Sequence, residues 1–168
     1  GHLSGATNFF HGDNSFRLDN EAFKVPKEGF YTTDANTDYA IRFLDETKDS
    51  KKPFFLYLAY NAPHYPLMAH KDDIEKYRGR FSEGWDVLRR KRYKRVKELG
   101  LLGGDWPLTP RPQNVPSWDS LSEKDRKWEA YTMEVYAAMI DRVDQNIGRL
   151  MKKIETMGKA ENTLFMFL

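Results

Sequence analysis

The run Lys52-Pro53-Phe54-Phe55-Leu56-Tyr57-Leu58-Ala59-Tyr60-Asn61-Ala62-Pro63-His64-Tyr65-Pro66 governs how the rest of the chain is read. Residues 54–59 are apolar without alternation, which predicts a strand buried on both faces. A turn with two prolines follows directly and carries a single histidine, His64. Proline fixes its own φ, so the imidazole is held at a reduced entropic cost. In an open α/β sheet, ligands collect in the crevice beyond the carboxyl ends of the strands. An imidazole titrates near neutrality, so one placed there can donate a proton to a leaving oxygen or, as imidazolium, bind an anionic one. His64 is therefore the first candidate site residue.

On the N-terminal side, residues 1–30 are rich in Gly, Asn, Asp and Phe and read as loop with one short hairpin. Thr33-Asp34 marks a helix start, with Tyr39, Ala40, Phe43 and Leu44 on one face, and Lys48-Asp49-Ser50 marks its end. On the C-terminal side, residues 70–120 form a polar excursion. Within it, Trp85, Leu88, Val96 and Leu99 line one stripe of a helix that stops at Gly100. Gly103-Gly104 and Pro107, Pro110, Pro112 and Pro116 then break regular structure. Residues 123–157 carry the longest helical pattern, with Trp128, Tyr131, Val135, Met139, Val143, Ile147, Leu150 and Ile154 at spacings of three and four. Ser122 is placed to cap its start and Gly158 to take the αL position at its end. Residues 163–168 predict a second buried strand. Helix, strand, helical excursion and strand together predict an α/β fold with a parallel sheet flanked by helices. Two parallel strands do not make a sheet, so further strands are expected from outside this chain or from another copy.

The length of 168 residues suits one domain with a real core, and the 14% aromatic share favours packed surfaces over disorder. A formal charge of +2 is too small to imply a polyanionic partner. With no cysteine, this stretch holds no disulfide, zinc-thiolate site or thiol nucleophile. No apolar run approaches the roughly 20 residues needed to span a bilayer. Gly1-His2-Leu3-Ser4-Gly5 lacks the charged-then-apolar order of a signal peptide. With no initiating Met and an apolar run at its end, the chain reads as an internal piece of a longer protein.

Other constellations have simpler readings. In Arg89-Arg90-Lys91-Arg92-Tyr93-Lys94-Arg95-Val96-Lys97, seven of nine residues are cationic. That run fits either a phosphate-tracking helix on nucleic acid or, preferably, the solvated face of an amphipathic helix. Asp141 and Asp144 share a helix surface, yet no further acid or His accompanies them at ligand spacing, so pairing with Arg142 or Arg149, or with a backbone group across the packing face, is expected. Asp72-Asp73, His2, His11 and His70 form no constellation. His70, just past the turn, either borders the same crevice or, preferably, lies at the surface, and Trp128 and Tyr131 are expected in the core. There is no Gly-rich phosphate loop, no Gly-x-Ser-x-Gly elbow and no His-Glu-x-x-His.

Three segments resemble the sulfatase family of the alkaline-phosphatase-like superfamily. They are Pro53-Phe54-Phe55-Leu56-Tyr57-Leu58-Ala59-Tyr60-Asn61-Ala62-Pro63-His64-Tyr65-Pro66-Leu67, Tyr136-Ala137-Ala138-Met139-Ile140-Asp141-Arg142-Val143-Asp144-Gln145-Asn146-Ile147-Gly148-Arg149-Leu150, and Glu161-Asn162-Thr163-Leu164-Phe165-Met166-Phe167-Leu168. Tyr77-Arg78-Gly79-Arg80-Phe81, Gly84-Trp85-Asp86, Arg89 and Pro116-Ser117-Trp118-Asp119 narrow the resemblance toward bacterial-type arylsulfatases. It implies an alkaline-phosphatase-like parallel-sheet sandwich flanked by helices, only part of which is present. Residues 1–168 would divide into a loop region (1–30), helix and strand (34–60), site loop with a helical and Pro-rich excursion (61–120), and long helix and strand (121–168).

The resemblance further implies a sulfuric ester hydrolase with a formylglycine nucleophile and a divalent cation, Ca2+ being the expected ion. His64 falls on the histidine that binds the sulfate and protonates the leaving oxygen. The nucleophile motif Cys/Ser-x-Pro-x-Arg is absent from this chain, as are the paired acids of the metal site and the Lys-x-His segment. The implied metal ligands therefore lie outside the segment, which is expected to be inactive alone and to need the remainder of its protein. A phosphodiester or phosphonate ester hydrolase is the rival within the superfamily. Nucleic-acid binding through residues 89–97 is the rival outside it, and no membrane partner is expected.

Overall fold

The computed structural model describes residue 1 and residues 8–168, so His2 lies outside the described residues. Its elements in chain order are strands β1 (Arg17–Leu18) and β2 (Glu21–Ala22), then helices α1 (Thr32–Glu46), α2 (Lys71–Glu75), α3 (Gly84–Glu98) and α4 (Glu123–Thr156). Short 3-10 turns occur at Trp118–Ser120 and Ala160–Asn162.

Local signals are realised where the atoms they need are close in sequence. β1 and β2 form an antiparallel hairpin in the register Arg17↔Ala22. Its loop residues Asp19 and Asn20 sit at φ 50° and 68°, the left-handed pair that a two-residue hairpin turn requires. Ser122 Oγ accepts the Asp125 N–H at 3.1 Å and so caps α4. At the other end Gly158, φ 67°, lets the Lys159 N–H reach the Ile154 carbonyl and its own N–H reach that of Glu155. This is a complete Schellman motif, and Gly100 closes α3 in the same way through Leu101 to Val96 and Gly100 to Lys97.

α1 and α4 pack through Ala40, Leu44, Leu150 and Ile154, with Phe54, Leu56 and Leu58 of the extended segment laid across them. A second cluster joins Phe9, Tyr31 and Met139, and Ala62, Leu67, Met68 and Ala69 pack on it. The turn carrying His64 thus leaves the body of the fold over one cluster and returns over the other.

Three expectations need correction. Residues 54–59 are not a strand buried on both faces. They alternate, with Phe54, Leu56 and Leu58 turned to the helices while Phe55 and Tyr57 are 90% and 80% exposed. Residues 163–168 are likewise outside any ladder and mostly exposed. A strand needs a neighbour to take its backbone groups, and β1–β2 is the one ladder among the described residues, which therefore do not show the parallel sheet. Finally, Trp128 and Tyr131 are 66% and 48% exposed rather than core. The buried side chains of α4 begin at Glu134, so Trp128 and Tyr131 precede the part of the helix that enters the core.

Candidate functional site

Extended backbone from Phe54 onward delivers the chain to Tyr60, and the turn begins at Asn61, whose carbonyl accepts the His64 N–H at 2.8 Å. His64 and Tyr65 both stand exposed at its tip. His64 Nδ1 lies 2.7 Å from the carbonyl of Tyr65. A carbonyl oxygen can only accept, so Nδ1 carries the proton, and Nε2 is left for chemistry. The imidazole is further steadied by the neighbouring Tyr65 ring, with centroids 4.5 Å apart.

Both legs of this turn are tied to α1 or its cap. On the near leg, the Tyr60 hydroxyl lies 2.6 Å from Thr37 Oγ1. On the far leg, the Tyr31 hydroxyl donates to the Met68 carbonyl at 2.8 Å. Tyr31 is 2% exposed, and burial pushes its phenol up to about 12, so it stays a donor across the working pH range. Asn61, next to the turn, buries a side-chain amide with no hydrogen-bond partner among the described residues.

His70, expected at the surface, instead lies half-buried on the far leg. Its ring meets Tyr31 at 4.6 Å and the edge of Phe10 at 5.2 Å, and its Nε2 is 3.6 Å from Asp34 Oδ2. Asp34 is the hub of a polar seam between α1, α2 and α4. Arg142 grips it bidentately at 2.9 and 2.8 Å, and Asn146 Nδ2 donates to it at 2.7 Å. Burial alone would raise the Asp34 carboxyl, but the hydrogen bonds from Arg142 and Asn146 outweigh it and hold the group below its ordinary range. Asp73 behaves alike: burial raises it, while Lys76 and Gln145 together hold it down. Lys76 bridges Asp73 and Asp141 at 2.8 and 2.9 Å. The partner of Asp141 is therefore neither an arginine of its own helix nor a backbone group but a lysine at the end of α2, while Asp144 is exposed.

This seam neutralises its acids with cations and amides. Among the described residues no group of three or more His, Cys, Asp or Glu could hold a metal ion. The cationic run on α3 is laid along solvent as expected of an amphipathic face. Lys91 pairs with Glu83, Lys94 and Arg95 with Glu98, and Lys97 with Asp105. Tyr93 donates to the Trp106 carbonyl at 2.6 Å, so the Pro-rich excursion is fastened along the same helix. No helix of the described residues is long and apolar enough to cross a membrane.

Sequence reading singled out His64 but not Tyr31, Thr37, Tyr60 or the Asp34–Arg142–Asn146 seam that surround its turn. Thr33-Asp34 carried a visible signal, but only as a helix start. The partners of Asp34 lie 108 and 112 residues away, beyond any periodicity.

The family model described as Sulfatase matches residues 3–168. An arylsulfatase of Klebsiella aerogenes is 34% identical over 164 residues, covering 98% of this chain and 34% of that protein. An uncharacterised sulfatase of Schizosaccharomyces pombe is 42% identical over 135 residues, covering 77% of this chain and 24% of that protein. The crystal structures of Ps i-CgsB, alone and in complex with k-i-k-neocarrahexaose, match at TM-scores of 0.54 and 0.53 with 23% identity, covering 96% of this chain and 29% of theirs. The chain thus spans about a quarter to a third of the proteins it matches. These likenesses show an alkaline-phosphatase-like α/β fold, of which the present chain supplies mostly helices.

Proposed function

Because the chain belongs to the sulfatase family, we propose that the complete protein is an arylsulfatase-like hydrolase cleaving sulfate esters to alcohol and sulfate, with His64 in its active site. The observation that supports His64 is its proton bookkeeping. With Nδ1 bound to the Tyr65 carbonyl, Nε2 is the nitrogen that meets the substrate. As imidazolium, its N–H can bind a sulfate oxygen. As the S–O bond breaks, the same proton can pass to the departing alkoxide, giving neutral alcohol and leaving the lone pair on Nε2. Bond cleavage then needs no free alkoxide.

The family chemistry also calls for a formylglycine and a divalent cation, Ca2+ being the expected ion. The residues here do not fit either group: the chain has no cysteine and no Ser-x-Pro-x-Arg, and the acids of the seam are spent on Arg142, Asn146, Gln145 and Lys76. Both groups are assigned to the rest of the protein. The rest of the protein is also assigned the strands that flank residues 54–59 and complete the sheet sandwich. The exposed rings of Phe55 and Tyr57 support that assignment, since both are large apolar groups without cover.

The test is His64→Ala in the complete protein, assayed with an aryl sulfate and the matching phosphate ester at fixed calcium. A loss of about 100-fold or more in kcat on the sulfate is expected for removing a general acid. Undiminished turnover would exclude the role given to His64. Faster turnover of the phosphate ester would move the protein to phosphoester chemistry.

A further inference from the structure

We propose that Tyr60 and Tyr31 are positioning residues, clamping the two legs of the His64 turn to the N-terminal half of α1 so that the imidazole meets the leaving oxygen in register. This rests on the role given to His64 above.

The geometry of the clamp is directional. Thr37 has one hydroxyl proton, and its Oγ1 donates to the Thr33 carbonyl one turn back at 3.3 Å. The short 2.6 Å contact with Tyr60 must then be filled by the tyrosine O–H, with Thr37 accepting. Thr37 is fully buried, so water does not compete for that lone pair. On the other leg, the Tyr31 hydroxyl reaches the Met68 carbonyl from a ring locked between Phe9, Phe10 and His70. Between the two anchors, Ala62 and Leu67 rest on the Phe9, Tyr31 and Met139 cluster, but the tip that carries the imidazole has no such packing. His64, Tyr65 and Pro66 are exposed, and the His64 N–H to Asn61 carbonyl bond is the one backbone hydrogen bond within it. The direction of the imidazole is therefore set by where the legs are fastened. Both fastenings are side-chain hydroxyls, which can be deleted with almost no change in shape.

Misplacement of a catalytic group by about 1 Å costs orders of magnitude in rate, and most where the proton matters most. A good leaving group departs without much help, whereas a poor one depends on protonation. Tyr60→Phe and Thr37→Val in the complete protein should therefore lower kcat about tenfold on a sulfate ester with a poor leaving group. On a nitrophenyl sulfate the loss should be about twofold, with KM little changed in both cases. The double variant should be no slower than Thr37→Val alone, because both substitutions remove the same Tyr60–Thr37 bond. Thr37→Ser, which keeps the hydroxyl, should restore the rate. Tyr31→Phe should show the same dependence on leaving group, and thermal unfolding confirms that each variant is folded. If Tyr31→Phe does not fold, the pair Tyr60 and Thr37 decides alone.

Equal losses on both esters, or an unchanged rate on the poor leaving group, would overturn the clamp. His64→Ala is run alongside as the reference. If it shows the leaving-group dependence and the hydroxyl deletions do not, the clamp alone fails. If His64→Ala shows no such dependence, the general-acid reading fails first and the clamp with it.

Discussion

Removing the Asp34 carboxylate should destabilise the α1–α4 packing by about 2–3 kcal/mol, a size that follows from its surroundings. Asp34 and Arg142 have side chains 23% and 27% exposed, so the pair is neither a surface contact nor a sealed one. A surface pair is worth about 0–1 kcal/mol, whereas stripping one partner from a buried pair costs about 3–5 kcal/mol. Two features hold the present case below the upper figure. Arg142 keeps Gln145 at 3.3 Å and Asp73 at 3.5 Å, and Asn146 Nδ2 keeps the Arg142 carbonyl at 2.9 Å. The measurement is urea unfolding of Asp34→Ala in the complete protein, with amide exchange in α1 and α4 to localise the effect. Adding Arg142→Met should recover part of the loss, since it removes the uncompensated charge.

The pH dependence fixes the sign of the same interaction. The folded carboxyl lies below its ordinary value of 3.8, so the unfolded chain binds the proton more readily. The stabilisation is then fully present above the unfolded value and is lost as pH falls through the folded one. The gap between wild type and Asp34→Ala should be flat from neutrality down to about pH 5 and close below about pH 4. A penalty under about 0.5 kcal/mol at neutral pH, or a gap that widens in acid, would refute the account.

Gly84→Ala should destabilise the start of α3 by about 2 kcal/mol or more, through left-handed strain and overpacking. Its φ is 77°, and a Cβ there would lie 2.0 Å from Trp118 Cδ2, within an indole already wedged edge-on against Trp85. Near-ultraviolet circular dichroism of the tryptophans would register the change, and an unaltered signal with unaltered stability would count against it. Ile154→Ala, at a site 1% exposed between α1 and α4, should cost about 2–5 kcal/mol in urea unfolding. A loss under 1 kcal/mol would mean that the contact is not a core contact.

What could be read in advance divides by the range of the forces involved. Ser122, Gly100 and Gly158 act on atoms a few residues away, so their residue types alone foretold the caps, while the hairpin was expected within residues 1–30 without its turn being placed. Periodicity foretold which face of α4 is apolar, but not what would sit on it. Hence Val135, Met139 and Ile154 are buried while Trp128 and Tyr131, on the same spacing, are not. His64 was legible because strand end, prolines and imidazole are contiguous in sequence. Its fastenings were not, because Tyr31 reaches Met68 across 37 residues and Tyr60 reaches Thr37 across 23.

The unalternating run at 54–59 is the instructive failure. Apolarity on both faces predicts burial on both faces, and among the described residues one face is bare. Large aromatic groups such as Phe55 and Tyr57 are costly to leave in water, and the proposed function gives them a neighbour. α1 and α4 account for the inner face through Ala40, Leu44, Leu150 and Ile154, and no described element accounts for the outer one. On the proposed function the outer face belongs to strands from the other two-thirds or more of the protein. His64 lies at the end of that segment, so those strands bear on the site as well. Strands that cover Phe55 and Tyr57 would also bring their own ends toward the imidazole, which is where a nucleophile and a cation must stand if His64 is to protonate the group that leaves.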